Sequence, residues 1–546
     1  MRLRLLLLLA AALWAATSTT RAADGQPRFD ILAFVVEGDT VLGAPAIERV
    51  VYPFLGPGRS VADAEGARQA LEQAYQAAGF LSVTVQLPPQ QITAAGSEVR
   101  LLVQQATVDR LRITGAQYTL PSAVAAAVPS LAPGTVPDFN AMQDNLARLA
   151  RSSAHRALTP LLAAGRAPNT LDVELKLQET LPLTASLELN SKQSLNTQAG
   201  RLEAALQYDN LFQRGHGIGL NWFYAPGRPS DANVLSLLYH LPLGGEGDRL
   251  FISLLHSSSD TPTPLGGATV SRGDTWRLRW RDALPSFGPA TQALSWGLTL
   301  RHLQDANIDV AGATTTPPAL RYPSFSAGYE LDLQDWGALR GRQSRLSAEL
   351  NFSLRGLSRR LVDCQGVVKE QFACKRDGAR PDFQVLALNL SHREPLGDWA
   401  LSARLQGQLS DAPLVSPEQV VYGGQDSVRG YYEGEQAGDL GFALRLELAA
   451  PPWRPAEGVE LRASAFHDRA RVQRLEPLPG EIRHMSLASA GFGLSLATRF
   501  GLQATLGWAQ VLQPTWQLGA NGQQLALSGR GADRRQRWDL SLRQTF

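Results

Sequence analysis

Hydrophobic and polar residues alternate along most of the chain after residue 181. In residues 345–355, RLSAELNFSLR, every second side chain is apolar, and Ser, Glu and Asn side chains lie between them. Residues 275–281, TWRLRWR, alternate Trp and Leu with Arg in the same way. A period of two places alternate side chains on opposite faces of a strand. The pattern therefore predicts strands with one apolar face and one charged face.

Sixteen segments carry this alternation. They start near residues 182, 200, 217, 233, 249, 274, 292, 323, 343, 382, 398, 439, 458, 485, 501 and 537. A soluble β-sandwich also alternates, but an even number of long strands with one charged face is typical of a transmembrane barrel with a wet lumen. The chain ends in RWDLSLRQTF, and its terminal Phe546 resembles the insertion signal of bacterial outer-membrane barrels. We therefore predict a 16-stranded antiparallel transmembrane β-barrel over residues 181–546.

Two α+β modules are predicted before the barrel, over residues 28–105 and 106–179. In the first, apolar residues recur at helical spacing through ARQALEQAY, and Gly79 stands where a helix-terminating glycine belongs. In the second, Asp138 is placed to cap a helix that begins DFNAMQ. The predicted order is strand, helix, helix, strand, strand in the first module and strand, helix, helix, strand in the second.

The N-terminus has the three regions of a secretory signal peptide. Residues 1–22 begin with two arginines, continue with a leucine-rich run and end in small residues, a pattern that predicts cleavage and export from the cytoplasm. The chain carries 52 basic and 50 acidic residues, a net charge of +2, so charge does not indicate a nucleic-acid partner. The expected location is the bacterial outer membrane, with the modules in the periplasm.

The chain has two cysteines, Cys364 and Cys374, in a polar connection after the ninth predicted strand. In an exported protein a close pair of this kind favours a disulfide, with free thiols as the alternative. No metal site is expected, because the nearest histidine is His392. No cofactor is expected either.

The segment GGQDSVRGYYEGE, residues 423–435, lies in a long connection after the eleventh predicted strand. It is either an ordinary solvated loop or, since its glycines permit unusual backbone conformations, a loop that folds back into the barrel over 413–438. Alternation on the thirteenth strand places Asp468 on the lumen face together with Phe466. A carboxylate there could form a bidentate pair with Arg429.

These features together resemble the two-partner secretion transporters, the haemolysin secretion/activation protein family. The passage LEQAYQAAGFLSVTVQLPPQ resembles the periplasmic POTRA modules of that family, and YDNLFQRGHG resembles a passage of its early barrel. SVRGYYEG matches its VRGY loop motif with Val428, Arg429, Gly430 and Tyr431. Its F-x-D-x-G motif corresponds to Phe466 and Asp468, although Ala470 replaces the glycine. The resemblance implies an ion pair between Arg429 and Asp468.

The resemblance also implies a function. Family members catch an unfolded exoprotein with their periplasmic modules and export it through the barrel without nucleotide hydrolysis. We therefore expect a monomer embedded in outer-membrane lipid, a secreted exoprotein as partner, and no nucleic-acid partner. The N-terminal plug helix of the family is expected to be absent or short, because few residues separate the cleavage site from Phe29.

Three other functions are weighed against export. A factor that assembles or inserts other outer-membrane proteins is the main alternative, although such relatives generally carry more than two modules. A passive pore would not need the modules. An enzyme is disfavoured, because the sequence contains neither a G-x-S-x-G nor an H-E-x-x-H motif.

Overall fold

The structure is a computed structural model, and its chain divides between Thr180 and Leu181 into two compact units. The described residues are 28–38, 41–91, 97–151, 153, 155–244, 247–259, 263–265, 268–270, 272–304, 308–310, 313–315, 318–335, 340–477, 481–518, 524–528 and 535–546. The predicted signal peptide, residues 1–22, lies outside the described residues.

The first module of the N-terminal unit packs two helices on a four-stranded sheet. Its elements are β1 (Phe29–Glu37), α1 (Ala44–Val51), β2 (Gly56–Arg59), α2 (Val61–Ala77), β3 (Val83–Gln86) and β4 (Ser97–Gln105), with a short 3-10 turn at Tyr52–Phe54. The sheet order is β2-β1-β4-β3. Leu71 and Tyr75, from the helical pattern, are fully buried in its core. Burial of a leucine side chain such as that of Leu71 contributes about 1.5–3 kcal/mol.

The second module has a three-stranded sheet in the order β5-β7-β6. Its elements are β5 (Thr107–Thr114), α3 (Pro121–Ala126), a 3-10 turn (Pro129–Leu131), α4 (Phe139–Arg151), β6 (Arg156–Ala164) and β7 (Thr170–Glu179). Asp138 caps α4 as predicted, since its Oδ1 accepts the backbone N–H groups of Asn140 at 2.9 Å and Ala141 at 3.0 Å. The predicted Gly79 ends the α2 segment with φ +99°.

Two strands of these modules do not follow from the sequence pattern. The β2 strand is the segment GPGR, and Gly and Pro are depleted in strands. The β6 strand carries Pro160 in its middle, which removes one backbone donor and is tolerated on an edge strand. Both lie at sheet edges, where pairing on one side is enough to hold them.

Sixteen strands among the described residues of the second unit close into one barrel. The first eight are β8 (Leu183–Asn190), β9 (Arg201–Leu211), β10 (His216–Tyr224), β11 (Asn233–Pro242), β12 (Arg249–Ser257), β13 (Gly273–Phe287), β14 (Ala290–Leu303) and β15 (Leu320–Gln334). The second eight are β16 (Gln343–Phe352), β17 (Gln384–Leu396), β18 (Trp399–Ser410), β19 (Leu440–Ala449), β20 (Val459–Gln473), β21 (His484–Thr498), β22 (Leu502–Val511) and β23 (Gln536–Thr545). The predicted fold class is confirmed.

The barrel closes where β23 pairs with β8 in antiparallel register. A short strand, Trp453–Ala456, adds to β20. Smaller elements lie in the connections: Thr263–Leu265, Ala268–Val270, Ile308–Val310, Ala313–Thr315, α5 (Arg355–Ser358), Leu361–Cys364, Val367–Glu370, α6 (Gln371–Lys375), a 3-10 turn (Ser416–Glu418), Val420–Tyr422, Gln436–Gly438, Thr515–Leu518 and Gln524–Ser528.

The two faces of the barrel strands separate as alternation predicts. Large apolar side chains such as Trp276, Trp296 and Phe492 are exposed on the outside. Charged side chains pair on the other face, for example Arg279 and Arg281 with Glu330. An apolar exterior around a charged interior is the arrangement of a transmembrane barrel. Among the described residues, no helix is long and apolar enough to cross a membrane.

Long connections follow the first barrel strand, β8, and every second strand after it, and short ones follow β9 and every second strand after that. In transmembrane barrels of this kind the long loops are extracellular and the short turns periplasmic. The long connections are numbered in chain order, so that loop 5 is residues 353–383, loop 6 is residues 411–439, and loop 7 is residues 474–483. All three are long-side connections.

The capping box of α2 yields a prediction for module stability. Ser60 Oγ accepts from the Asp63 backbone N–H, and the Asp63 carboxylate accepts from the Ser60 backbone N–H at 2.8 Å. That backbone hydrogen bond, followed by the bond from the Ser60 hydroxyl, lowers the pKa of Asp63. We expect Ser60→Ala to lower the free energy of unfolding of the residue 28–180 fragment by about 1 kcal/mol at neutral pH.

The pH dependence follows from the lowered pKa. A carboxyl group with a depressed folded-state pKa stabilises the fold above its unfolded pKa, and this contribution is lost as pH falls through the folded pKa. Thermal unfolding followed by circular dichroism should therefore show Asp63→Asn destabilised at neutral pH and closer to the parent in acid. A destabilisation of Asp63→Asn that stays constant over this pH range would contradict the assignment.

Candidate functional site

Loop 6 is polar and glycine-rich, yet most of it is buried. Val428 and Tyr431 have no exposed surface, and Gly423, Gly424 and Gly430 are also buried. The short strands Val420–Tyr422 and Gln436–Gly438 pair with each other and bring the two arms of the loop together. Of the two interpretations of this segment, the structure has the loop folded into the barrel.

The centre of the site is a bidentate ion pair between loop 6 and the barrel wall. Arg429 Nε donates to Asp468 Oδ2 at 2.7 Å, and Arg429 Nη2 donates to Oδ1 at 2.8 Å. The backbone N–H of Arg429 donates to Oδ2 at 3.1 Å. Asp468 lies on β20, and its side chain is 0% exposed. Loss of one partner of such a buried pair costs about 3–5 kcal/mol, because the other charge is left buried without its partner.

Glu447 is a third member of the site that the sequence reasoning did not select. Arg429 Nη1 donates to Glu447 Oε2 at 2.7 Å. The outer end of β19 is Leu440, and Glu447 lies 447 − 440 = 7 residues further along the strand. Seven residues of a strand span about 24 Å. Arg429 therefore reaches deep into the lumen. The available signal was alternation, which places Glu447 on the same face as Arg445 on this strand.

Phe466 supports the guanidinium from the same strand as Asp468. The guanidinium carbon of Arg429 lies 3.5 Å from the centre of the Phe466 ring, a cation–π contact. The ring has room because the facing residue is Gly491, where an added Cβ would lie 2.6 Å from the Phe466 Cζ atom. Phe466 and Asp468 are thus both in contact with Arg429.

Gly430 and Tyr431 fix the loop against β21 and β22, the strands that follow β20 around the barrel. Gly430 has φ +93°, and an added Cβ would lie 3.1 Å from the Cβ of Ala509 on β22. The hydroxyl oxygen of Tyr431 lies 2.6 Å from the Gln513 carbonyl oxygen and 2.9 Å from the Ala488 carbonyl oxygen. It also accepts the Ala488 backbone N–H at 3.0 Å. Each motif residue after Arg429 therefore has a defined contact.

Val428 and Ala470 belong to one apolar cluster that lies beside the ion pair, toward the outer ends of the barrel strands. Its buried members are Val420, Tyr422, Val428, Tyr431, Ala443, Ala470, Val472, Met485, Leu487 and Val511. Ala470 is fully buried in this cluster. The residue that departs from the family's glycine therefore adds a methyl group to the packing between loop 6 and the barrel wall, and it leaves the Arg429–Asp468 pair in place.

Other contacts hold the rest of loop 6. Lys192, in the first outer connection, pairs with Asp426 at 3.1 Å. The Glu435 carboxylate accepts the hydroxyl of Ser528 at 2.7 Å and that of Thr515. Arg537 donates to the Tyr431 carbonyl oxygen at 3.2 Å. These residues carry no local sequence signal, because their partners lie far away along the chain.

The remaining predicted residues lie apart from this centre. Cys364 and Cys374 are joined by a disulfide in loop 5. Phe546 donates its backbone N–H to the Ala185 carbonyl oxygen at 2.9 Å, beside the strand pairing that closes the barrel, while its ring is exposed on the outside. Among the described residues, no group of His, Cys, Asp and Glu side chains is arranged to hold a metal ion.

Gly430 provides a test of how tightly loop 6 is fitted. Samples of the barrel are incubated in SDS at increasing temperatures, and the folded form is recognised by its compact mobility on the gel. We expect Gly430→Ala to lower the temperature at which this folded form is lost, because alanine is strained at this φ and its Cβ meets Ala509. Gly366 is the matched control: it has φ +84° and nothing within 4 Å of an added Cβ. Equal shifts for Gly430→Ala and Gly366→Ala would contradict the tight contact.

Comparison with known proteins identifies both parts of the chain. Residues 169–496 match the family described as haemolysin secretion/activation protein ShlB/FhaC/HecB, and residues 29–104 match the ShlB-type POTRA domain. A protein of Escherichia coli O6:K15:H31 (strain 536 / UPEC), named outer membrane transporter CdiB, is 25% identical over 453 residues. That match covers 79% of this chain and 70% of the relative.

Solved structures show the same fold. CdiB from Escherichia coli matches with a TM-score of 0.64 at 18% identity, covering 97% of this chain and 93% of that one. BamA from Haemophilus ducreyi lacking POTRA domains 1–3 matches with a TM-score of 0.53 at 16% identity, covering 95% and 100%. The family match spans more than half of the chain. The chain therefore belongs to the haemolysin secretion/activation protein family ShlB/FhaC/HecB, the outer-membrane transporters of two-partner secretion.

Proposed function

We propose that this transporter catches its exoprotein unfolded in the periplasm and threads it through the barrel to the cell surface as a monomer in outer-membrane lipid. Export proceeds without nucleotide hydrolysis, and the chain contains no G-x-x-x-x-G-K-[ST] phosphate loop. No catalytic step and no cofactor are part of the proposal. The folding of the exoprotein outside the cell prevents its return.

The observation that carries the proposal is the position of Arg429. Its guanidinium contacts Asp468 and Glu447 inside the lumen, so loop 6 occupies space that a passing chain needs. We propose that this ion pair holds loop 6 in the position that export requires. Contacts of Val428, Gly430, Tyr431 and Phe466 are proposed to hold the arginine in place. A passive pore has no use for an occluding loop that is anchored by an ion pair to a buried carboxylate.

Capture by the modules is proposed to use the β6 edge. This strand forms one edge of its sheet, and Leu161 and Leu162 are exposed on it. An extended chain can add a strand to such an edge through backbone hydrogen bonds, and side-chain contacts then give it preference for apolar segments. An unfolded exoprotein supplies both an extended backbone and apolar segments.

A second candidate is assembly or insertion of other outer-membrane proteins. The similarity in fold to BamA over 95% of this chain supports this second candidate. The family match supports export instead. A large secreted protein encoded beside this gene would favour export, and an effect of deleting the gene on many outer-membrane proteins would favour assembly.

We also propose limits for the domains of the chain. We propose a cleaved signal peptide at residues 1–22, modules at 28–105 and 106–179, and a barrel at 181–546 whose loop 413–438 folds inward. The terminal Phe546 is proposed to serve as the insertion signal, because its exposed ring stands at the end of the last strand. The loop 5 disulfide is proposed to form after this chain has itself left the cytoplasm, where oxidising conditions preserve the disulfide.

Removal of the arginine tests the proposed role of loop 6. We expect Arg429→Ala to assemble in the outer membrane and to lose most export of the exoprotein encoded beside the gene, because loop 6 then loses its buried anchor. Export is measured as exoprotein outside the cells per folded transporter in the membrane fraction.

Arg345→Ala is the control for loss of a lumen arginine. Arg345 pairs with Asp332, but its own side chain is 68% exposed, so its pair should contribute at most about 1 kcal/mol. Export should stay near the parent level. Parental export by Arg429→Ala would remove loop 6 from the mechanism.

The β6 edge is tested by photocrosslinking in cells. A photoreactive residue at Leu162 should crosslink the exoprotein during export, because that side chain lies on the open edge. Tyr52, which is 74% exposed and lies outside the strands of the first module, is the control for exposure alone. Strong crosslinking from Tyr52 with none from Leu162 would show that capture uses another surface.

A further inference from the structure

Asp439 forms a second buried ionic centre, at the base of loop 6. It is the last residue before β19, and its side chain is 0% exposed. Its carboxylate accepts hydrogen bonds from both η-nitrogens of Arg376, with 2.8 Å between Nη2 and Oδ2. It also accepts the backbone N–H groups of Leu414 at 3.0 Å and Leu475 at 2.7 Å, and the Gln419 side-chain amide at 3.1 Å. Five donors thus converge on one buried carboxylate.

Arg376 reaches this carboxylate from loop 5, which contains the disulfide. Its guanidinium also donates to the carbonyl oxygens of Leu414 at 2.8 Å and Leu475 at 3.0 Å. Leu414 is near the start of loop 6, Asp439 is at its end, and Leu475 is in loop 7. The Arg376–Asp439 pair therefore binds three loops together and holds the two ends of loop 6 side by side.

The direction of Arg376 is set by its immediate surroundings. Cys374, two residues earlier on α6, is bonded to Cys364. Phe372 on the same helix is buried with Phe383 and Leu414 in an apolar cluster. The disulfide and this cluster fix the helix from which Arg376 extends, so the disulfide acts on loop 6 through Arg376.

This centre is separate from the motif site. The motif pair joins Arg429, in the middle of loop 6, to the barrel wall, whereas the Arg376 pair joins the two ends of the loop to its neighbours. The pairs share no residue. A loop whose ends are held together samples fewer conformations, so less entropy is lost when its middle docks.

We propose that Arg376 is a positioning residue for export, which holds the base of loop 6 so that Arg429 stays on Asp468, and that the loop 5 disulfide holds Arg376. This inference rests on the proposed export function and adds a second control of the same loop. Reduction of the disulfide outside the cell loosens the base of loop 6 and favours departure of the loop from the lumen.

The first test measures potassium chloride currents through the purified full-length protein in planar bilayers. We expect Arg376→Ala to make large openings about tenfold more frequent, because the buried Asp439 loses its partner. A reductant on the loop side should raise the frequency in the parent and have little further effect in Arg376→Ala, since both act through one contact. The chain has two cysteines, both in this disulfide, so the reductant has one target.

Arg380→Ala is the matched control. Arg380 also joins loop 5 to loop 6, through Asp411 at 2.8 Å, but both side chains are 44% exposed. We expect its openings and its export to stay within about twofold of the parent. Arg376→Lys keeps the charge but cannot form the bidentate pair, so it should lie between the parent and Arg376→Ala. It also replaces Arg376→Ala in the comparison if that variant yields too little folded barrel.

The second test measures export of the exoprotein encoded beside the gene, per folded transporter. We expect Arg376→Ala to export about tenfold less than the parent. Parental openings and export in Arg376→Ala and Arg376→Lys, while Arg429→Ala fails, would overturn this inference and leave the proposed function standing. Absence of export by the parent itself would overturn the proposed function. Unchanged openings in a parent whose thiols are shown to be reduced would overturn the role of the disulfide.

Discussion

The arrangement of loop 6 depends on one largely buried charge, the guanidinium of Arg429, whose side chain is 14% exposed. Two carboxylates, from Asp468 and Glu447, neutralise it, and the Phe466 ring covers one face. A buried arginine is tolerated only when its charge and donors are matched. The loop therefore has one well-defined place in the lumen, and the surrounding walls are built to accept it: Gly491 makes room for Phe466, and Ala509 approaches Gly430.

Anchoring of this kind suits the proposed role of loop 6, which occupies the lumen until a substrate arrives. Apolar packing between the loop and the wall, through Val428, Tyr431 and Ala470, adds to the ionic contacts. The contacts with Glu447, Lys192 and Ser528 come from different strands and connections around the barrel. Displacement of the loop therefore breaks several contacts together, and in the proposed mechanism the passing chain supplies compensating interactions.

The sequence predicts the barrel well because period-two alternation is a local signal that repeats in every strand. Predicted starts at 249 and 343 coincide with the observed ones, while the strand expected near 323 begins at Leu320. Alternation also places Asp468 on the lumen face. It misses the edge strands β2 and β6, because Gly and Pro there suppress the pattern and only tertiary pairing forms the strand. The roles of Glu447 and Arg376 depend on how deep a loop reaches and which loops meet, and no local pattern records either.

The most direct test of the central claim is a double-mutant cycle on export with Arg429→Gln, Asp468→Asn and the two combined. Both single changes remove one charge of the pair and keep much of the side-chain volume. If the pair acts as a unit, each single variant loses most export and the double variant loses no more than either one. Parental export by either single variant, or losses that multiply in the double variant, would contradict the claim that this pair sets loop 6 for export.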